Sequence, residues 1–220
     1  MSRSAPHAGA SVVPDTALFP AKYLLALDDD GCRTTLARVP LELRSAPPTR
    51  GVREPFQLRG GLEGLGFRPS WSQGRADPSL EVVDCRLLLA LAGAAPIFHR
   101  HGVRGIVYLS AYRSPRGDLE ASIRKSRHGA GMALDVGILE REDGSRWDVA
   151  RDFPKALGRP PCEERQASPA SGSPEELRSL VCDLALSGLF SVVLTPNHDE
   201  AHRDHVHVEL NPRVPSVYLR

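Results

Sequence analysis

His202-Arg203-Asp204-His205-Val206-His207-Val208-Glu209-Leu210 is the stretch on which the fold turns. From His205 onward polar and apolar residues alternate, the period of a half-buried strand. In such a strand His205, His207 and Glu209 share one face, while Val206, Val208 and Leu210 share the other. The aliphatic face buries in a core. The opposite face presents two imidazoles about 7 Å apart along the strand. That span suits one metal ligand with a neighbouring imidazole better than two ligands of one ion.

A second stretch answers the first: Ser126-Arg127-His128-Gly129-Ala130-Gly131-Met132-Ala133-Leu134-Asp135. GMALDVGIL (131–139) reads as a strand, with Asp135 inside it, His128 just ahead of it, and glycines that let the chain turn between them. If this strand lies beside the 205–210 strand, His128, Asp135 and His207 converge on one zinc ion, which takes imidazole and carboxylate at about 2.0–2.2 Å. Three protein ligands leave a fourth position for water, which distinguishes a catalytic site from a closed structural one. His99-Arg100-His101 repeats the His-x-His spacing, but at a helix end, where residues two apart diverge. There it reads as a cationic helix C-terminus.

Working outward, GIVYLSAYR (105–113) and SVVLT (191–195) read as strands, and SPEELRSLVCDLALSGLF as a helix capped by Ser173 with Glu176 three residues on. A further helix is expected to start at Asp77-Pro78-Ser79, continue through LEVVDCRLLLALAGAA and end between Pro96 and Gly102. Residues 1–19 read as a flexible tail, and 20–220 as one domain with loop excursions at 44–79 and 140–174. Irregular alternation of helices and strands predicts an α+β fold, with a mainly antiparallel sheet bearing the zinc site and flanked by helices.

Composition sets the outer limits. The 220 residues carry a net charge of +1, with basic residues scattered and aromatics at 5%, so neither nucleic acid nor an anionic membrane is an expected partner. No run approaches the ~18 apolar residues of a transmembrane helix, and the first twenty residues lack the apolar centre of a secretory signal. Cys32, Cys85, Cys162 and Cys182 show no Cys-x-x-Cys spacing. Four buried thiols and two disulfides both fit that pattern, the second implying an oxidising compartment.

The pattern Ser126, His128, Gly131, Ala133, Asp135 resembles the zinc motif of D-alanyl-D-alanine carboxypeptidases and dipeptidases. His202, His205 and His207 are similar to the HxxHxH of penicillin-insensitive murein endopeptidases. Thr195–His207 looks like the bacterial extensin-like C-terminal family, and Ser110-Ala111-Tyr112-Arg113-Ser114 resembles the strand upstream of the first zinc motif. The resemblance implies a hedgehog/D,D-peptidase-like fold, Zn2+ on His128, Asp135 and His207, and hydrolysis of amide bonds in peptidoglycan peptides outside the cytoplasm, in the periplasm or beyond it. It also implies that Arg113 holds the substrate or its oxyanion, against the alternative of a structural ion pair. Ser126 either orients substrate or bonds the loop backbone. The glutamate base of the carboxypeptidases has no counterpart at the right spacing. His205 therefore takes that role, with His202 as a second catalytic or orienting imidazole. Asp204 reads as a turn residue, with imidazole fixation as the alternative, and Glu209 as a solvated strand end. The extensin-like family suggests a Cys162–Cys182 bridge, which leaves Cys32 and Cys85 to each other. The competing class is a non-catalytic, zinc-containing module that binds the cell wall.

Overall fold

In a computed structural model that describes residues 20–71, 77–162 and 172–220, two short helices come first, α1 (Ala21–Ala26) and α2 (Asp29–Leu36). The Asp28 carboxylate caps α2 by accepting from the Gly31 amide. Four short strands follow: β1 (Arg44–Ser45), β2 (Pro55–Gln57), β3 (Gly60–Leu62) and β4 (Leu65–Pro69). Next come β5 (Val82–Asp84), the long helix α3 (Cys85–Arg100), β6 (Val103–Ser110) and α4 (Leu119–Lys125). The chain continues with β7 (Ala133–Arg141), β8 (Arg146–Asp148), α5 (Val149–Asp152), α6 (Pro174–Leu186), β9 (Val192–Leu194), β10 (Val206–Glu209) and β11 (Tyr218–Leu219). The expected tail at 1–19 lies outside the described residues.

The architecture is mixed α+β, but the sheet is mixed rather than mainly antiparallel. Its strand order is β11-β9-β10-β7-β6-β4-β3, with β8 added beside β7, and a second small sheet runs β1-β2-β5. Antiparallel pairs include β6–β7, β7–β10 and β9–β10, whereas β4–β6 and β9–β11 are parallel. The parallel β4–β6 pair has a local cause. Helix α3 lies between the two strands in sequence, and a helical crossover returns the chain in its original direction.

Helix α3 is apolar on nearly every side, the pattern of a helix enclosed by neighbours. Its residues from Cys85 to Ala95 are all buried, and Ile97 and Phe98 continue the buried run. It begins later than expected. Asp77 caps only a short 3-10 turn, Pro78–Glu81, and the β-branched Val82 and Val83 extend to pair with β2. Asp84 is the true cap, its carboxylate accepting from the Arg86 amide. The helix also runs past Pro96 to Arg100. Burial of Ile97 and Phe98 outweighs the lost backbone donor, and Gly102, at φ +71°, turns the chain immediately afterwards. Ser173 caps α6 as expected, accepting from the Glu176 amide. The two excursions carry strands β1–β4 and β8 with helix α5.

All four cysteines are paired, Cys162–Cys182 as the family resemblance implied and Cys32–Cys85 as it left by elimination. The first bridge ties α2 to the start of α3. No helix among the described residues is long and apolar enough to cross a membrane.

Candidate metal centre

Strands β7 and β10 run antiparallel in a register that sets His207 directly opposite Asp135. Cross-strand partners share a face, so the carboxylate and the imidazole meet without any bend in the strands. Val206 and Val208 point the other way into the core, as their alternation predicts. His128 arrives from a 3-10 turn, Arg127–Ala130, between α4 and β7. Gly131 closes that turn at φ +64°, and a Cβ there would stand 2.8 Å from the Asp84 backbone nitrogen. Only glycine satisfies both the left-handed backbone and the close approach.

The result is a convergence on one oxygen. Asp135 Oδ1 lies 2.8 Å from His207 Nδ1, 3.2 Å from His128 Nε2 and 3.4 Å from His205 Nε2. Asp135, His128 and His207 are all buried. The outer nitrogens are also held. His128 Nδ1 donates to the Ala111 carbonyl at 2.7 Å, which leaves Nε2 as the inward atom. His207 Nε2 meets Glu209 Oε2 at 3.1 Å, and His205 Nδ1 donates to Asp204 Oδ1 at 2.8 Å.

Burial raises the pKa of the Asp135 carboxyl, but hydrogen bonds from His128 and His207 outweigh this and hold it far below the usual carboxylate range. Burial likewise opposes a charge on His207, yet Asp135 and Glu209 on either side raise its pKa to about 9. For Glu209 burial raises the pKa, while the bond to His207 more than compensates and lowers it. An imidazole between two carboxylates is thus held as a cation when only protein surrounds it.

These residues fit a divalent metal ion. One ligand atom each from His128, Asp135 and His207 lies within 4.8 Å of the others. The donor set of two imidazoles and one carboxylate is one that zinc accepts, and each imidazole has its other nitrogen anchored to a carbonyl or carboxylate. An ion there would take the place of the proton that His207 otherwise carries.

The other expected residues gather around this trio. The His202 ring stands 5.1 Å from that of His205 and 5.9 Å from that of His207, with Nδ1 bonded to Asp199. Arg113, on the segment after β6, donates from Nη2 to Asp135 Oδ2 and from Nε to Ser110 Oγ at 2.9 Å. Arg113 is thus in an ion pair with Asp135, while more than half of its side chain remains exposed. Ser126 ends α4 and begins the His128 turn, its carbonyl accepting from Gly129. It lines the same open groove as Arg113, about 920 Å³ in volume. Two residues differ from expectation. Glu209 is not a solvated strand end but is held by His207 and by Asn211, and Asp204 fixes His205 rather than serving only the turn. Both shared the strand face or neighbourhood in the sequence. Their roles depend on which nitrogen faces inward, which no sequence pattern states. His99 and His101 are apart from the cluster, bonded to Glu63 and Asp183 respectively.

A buried His-Asp-His trio, two members on adjacent strands and the third on the turn before them, is ringed by two further imidazoles and defines a candidate metal-binding α+β protein. The family model described as Extensin-like protein C-terminus matches residues 89–218, more than half of the chain, and the protein belongs to that family. The match takes in both strands of the site and every residue of the cluster. No match was found among curated proteins.

Proposed function

We propose that this protein is a zinc-dependent hydrolase of amide bonds in peptidoglycan peptides, of the murein endopeptidase or D,D-carboxypeptidase type. The observation that carries the proposal is the meeting of three imidazole nitrogens on Asp135 Oδ1. His128, Asp135 and His207 would hold the ion, which supplies a bound water of lowered pKa and polarises the scissile carbonyl. His205 is the general base. Asp204 holds its Nδ1, so Nε2 faces the cluster, where an imidazole can both accept and return a proton. Arg113 orients Asp135 through one edge and offers its exposed edge to substrate oxygen.

The groove beside the cluster supports a peptide substrate bearing carboxylates. Arg113, Arg116 and Lys125 line it, with Asp118 as the opposing charge and Ser114 and Ser126 as hydroxyl donors. Two disulfides favour an oxidising compartment, the periplasm or the exterior.

Incubation of the purified protein with muropeptides, with and without chelator, tests the reading by mass spectrometry. The wild type should release peptide only when zinc is present. His205→Ala should keep its zinc and lose about 10²–10⁴-fold in rate. A fully active His205→Ala variant would overturn the role of that imidazole. No mass change in any muropeptide with wild-type protein would overturn the enzyme and leave a zinc-containing module that binds the cell wall.

A further inference from the structure

Beyond the trio, a second group of ligating side chains gathers on Asp199, and of its members only His202 was expected to serve the chemistry above. Asp199 stands between two imidazoles, with Oδ1 2.6 Å from His202 Nδ1 and Oδ2 3.3 Å from His198 Nε2. Capping accounts for only part of this. Oδ1 also accepts from the His202 amide at 3.1 Å, which secures the 3-10 turn Glu200–His202, but Oδ2 turns to His198. The His198 ring is set edge-on to those of His202, at 5.1 Å, and Tyr218, at 6.5 Å, so it is held where it can ligate. Among the described residues no arginine or lysine pairs with Asp199, whose side-chain partners are these two imidazoles. Ligand atoms of the three residues lie within 4.8 Å of one another.

We propose that His198, Asp199 and His202 form a second divalent-metal site at the rim of the first. Two imidazoles and one carboxylate suit zinc or a similar borderline ion, with water filling the remaining positions. This site is the weaker of the two. Asp199 is about half exposed where Asp135 is almost wholly buried, so each of its ligands keeps water to compete with the metal. The two sites share a wall, because His202 also stands against His205 and His207. Occupation of the outer site therefore fixes a residue of the inner cluster, and zinc in excess acts on the centre through His202.

Zinc binding to the full chain, measured by native mass spectrometry and calorimetry, tests this without recourse to activity. The wild type should take a tight ion and then a second at least tenfold weaker. His198→Ala should lose the second ion, and so should Asp199→Asn, which preserves the cap on the turn. His128→Ala should keep it while losing the first. A His198→Ala variant that binds as many ions as the wild type would overturn the proposal.

Discussion

Asp135 is the residue on which the other members of the cluster converge, and together with Glu209 it sets the protonation of His207. With burial outweighed by Asp135 and Glu209, His207 in the metal-free protein rises from its ordinary 6.5 to about 9. A raised folded-state value means that protonated His207 contributes stability complete below pH 6.5 and lost as pH climbs through about 9. Zinc requires the neutral imidazole, so its affinity should rise over the same window as the proton departs. Thermal melts of chelator-treated protein should therefore show a loss of stability across that window, and His207→Gln should flatten it. An unchanged slope in the variant counts against the pairing. At this scale the sequence pointed to the members of the trio and, among their anchors, offered only Asp204, as the alternative to a turn residue. His128, Asp135 and His207 were legible because residue type and strand period place them. The parts played by Glu209 and Asp199 were not, because each acts through an imidazole nitrogen whose orientation is a tertiary property.

Among the elements, periodic ones were readable and short ones were not. β7, β10 and α6 follow from alternation and capping within their own residues. β5 was missed because Leu80-Glu81-Val82-Val83 suits a helix as well as a strand, and pairing with a distant strand, β2, decides it. The parallel β4–β6 pair is equally non-local. Helix α6 depends on a covalent anchor. Cys182, on its buried face, is bridged to Cys162 across 20 residues of sequence. Closing a loop of that size stabilises by about 3 kcal/mol, chiefly by restricting the unfolded chain. The double variant Cys162→Ser with Cys182→Ser should melt roughly 6–12 °C lower than the wild type. An unchanged melting temperature would show that packing alone secures α6.

For the molecule as a whole, the question is how the N-terminal elements, outside the family match, are fastened to the sheet that bears the site. Arg86 does much of this. It is wholly buried, pairs with Asp84 at 2.9 Å and Asp29 at 2.7 Å, and donates to the Leu27 carbonyl. Asp84 in turn receives the backbone amides of Arg53 and Glu54, and its own amide donates to Gly131 beside the His128 turn. Replacing Arg86 by Met leaves Asp84 buried without its cation, a loss of about 3–5 kcal/mol. Denaturant titration should show the midpoint falling accordingly; an unmoved midpoint would mean that the Cys32–Cys85 bridge and apolar packing suffice.

On the proposed reading, His128, Asp135 and His207 enclose one divalent ion. Diffraction recorded at the zinc absorption edge from crystals of the zinc-loaded protein tests it most directly. The strongest anomalous peak should lie about 2.0–2.2 Å from His128 Nε2, an oxygen of Asp135 and an imidazole nitrogen of His207. No peak there at saturating zinc, with Asp135 still hydrogen-bonded to His207, would contradict it.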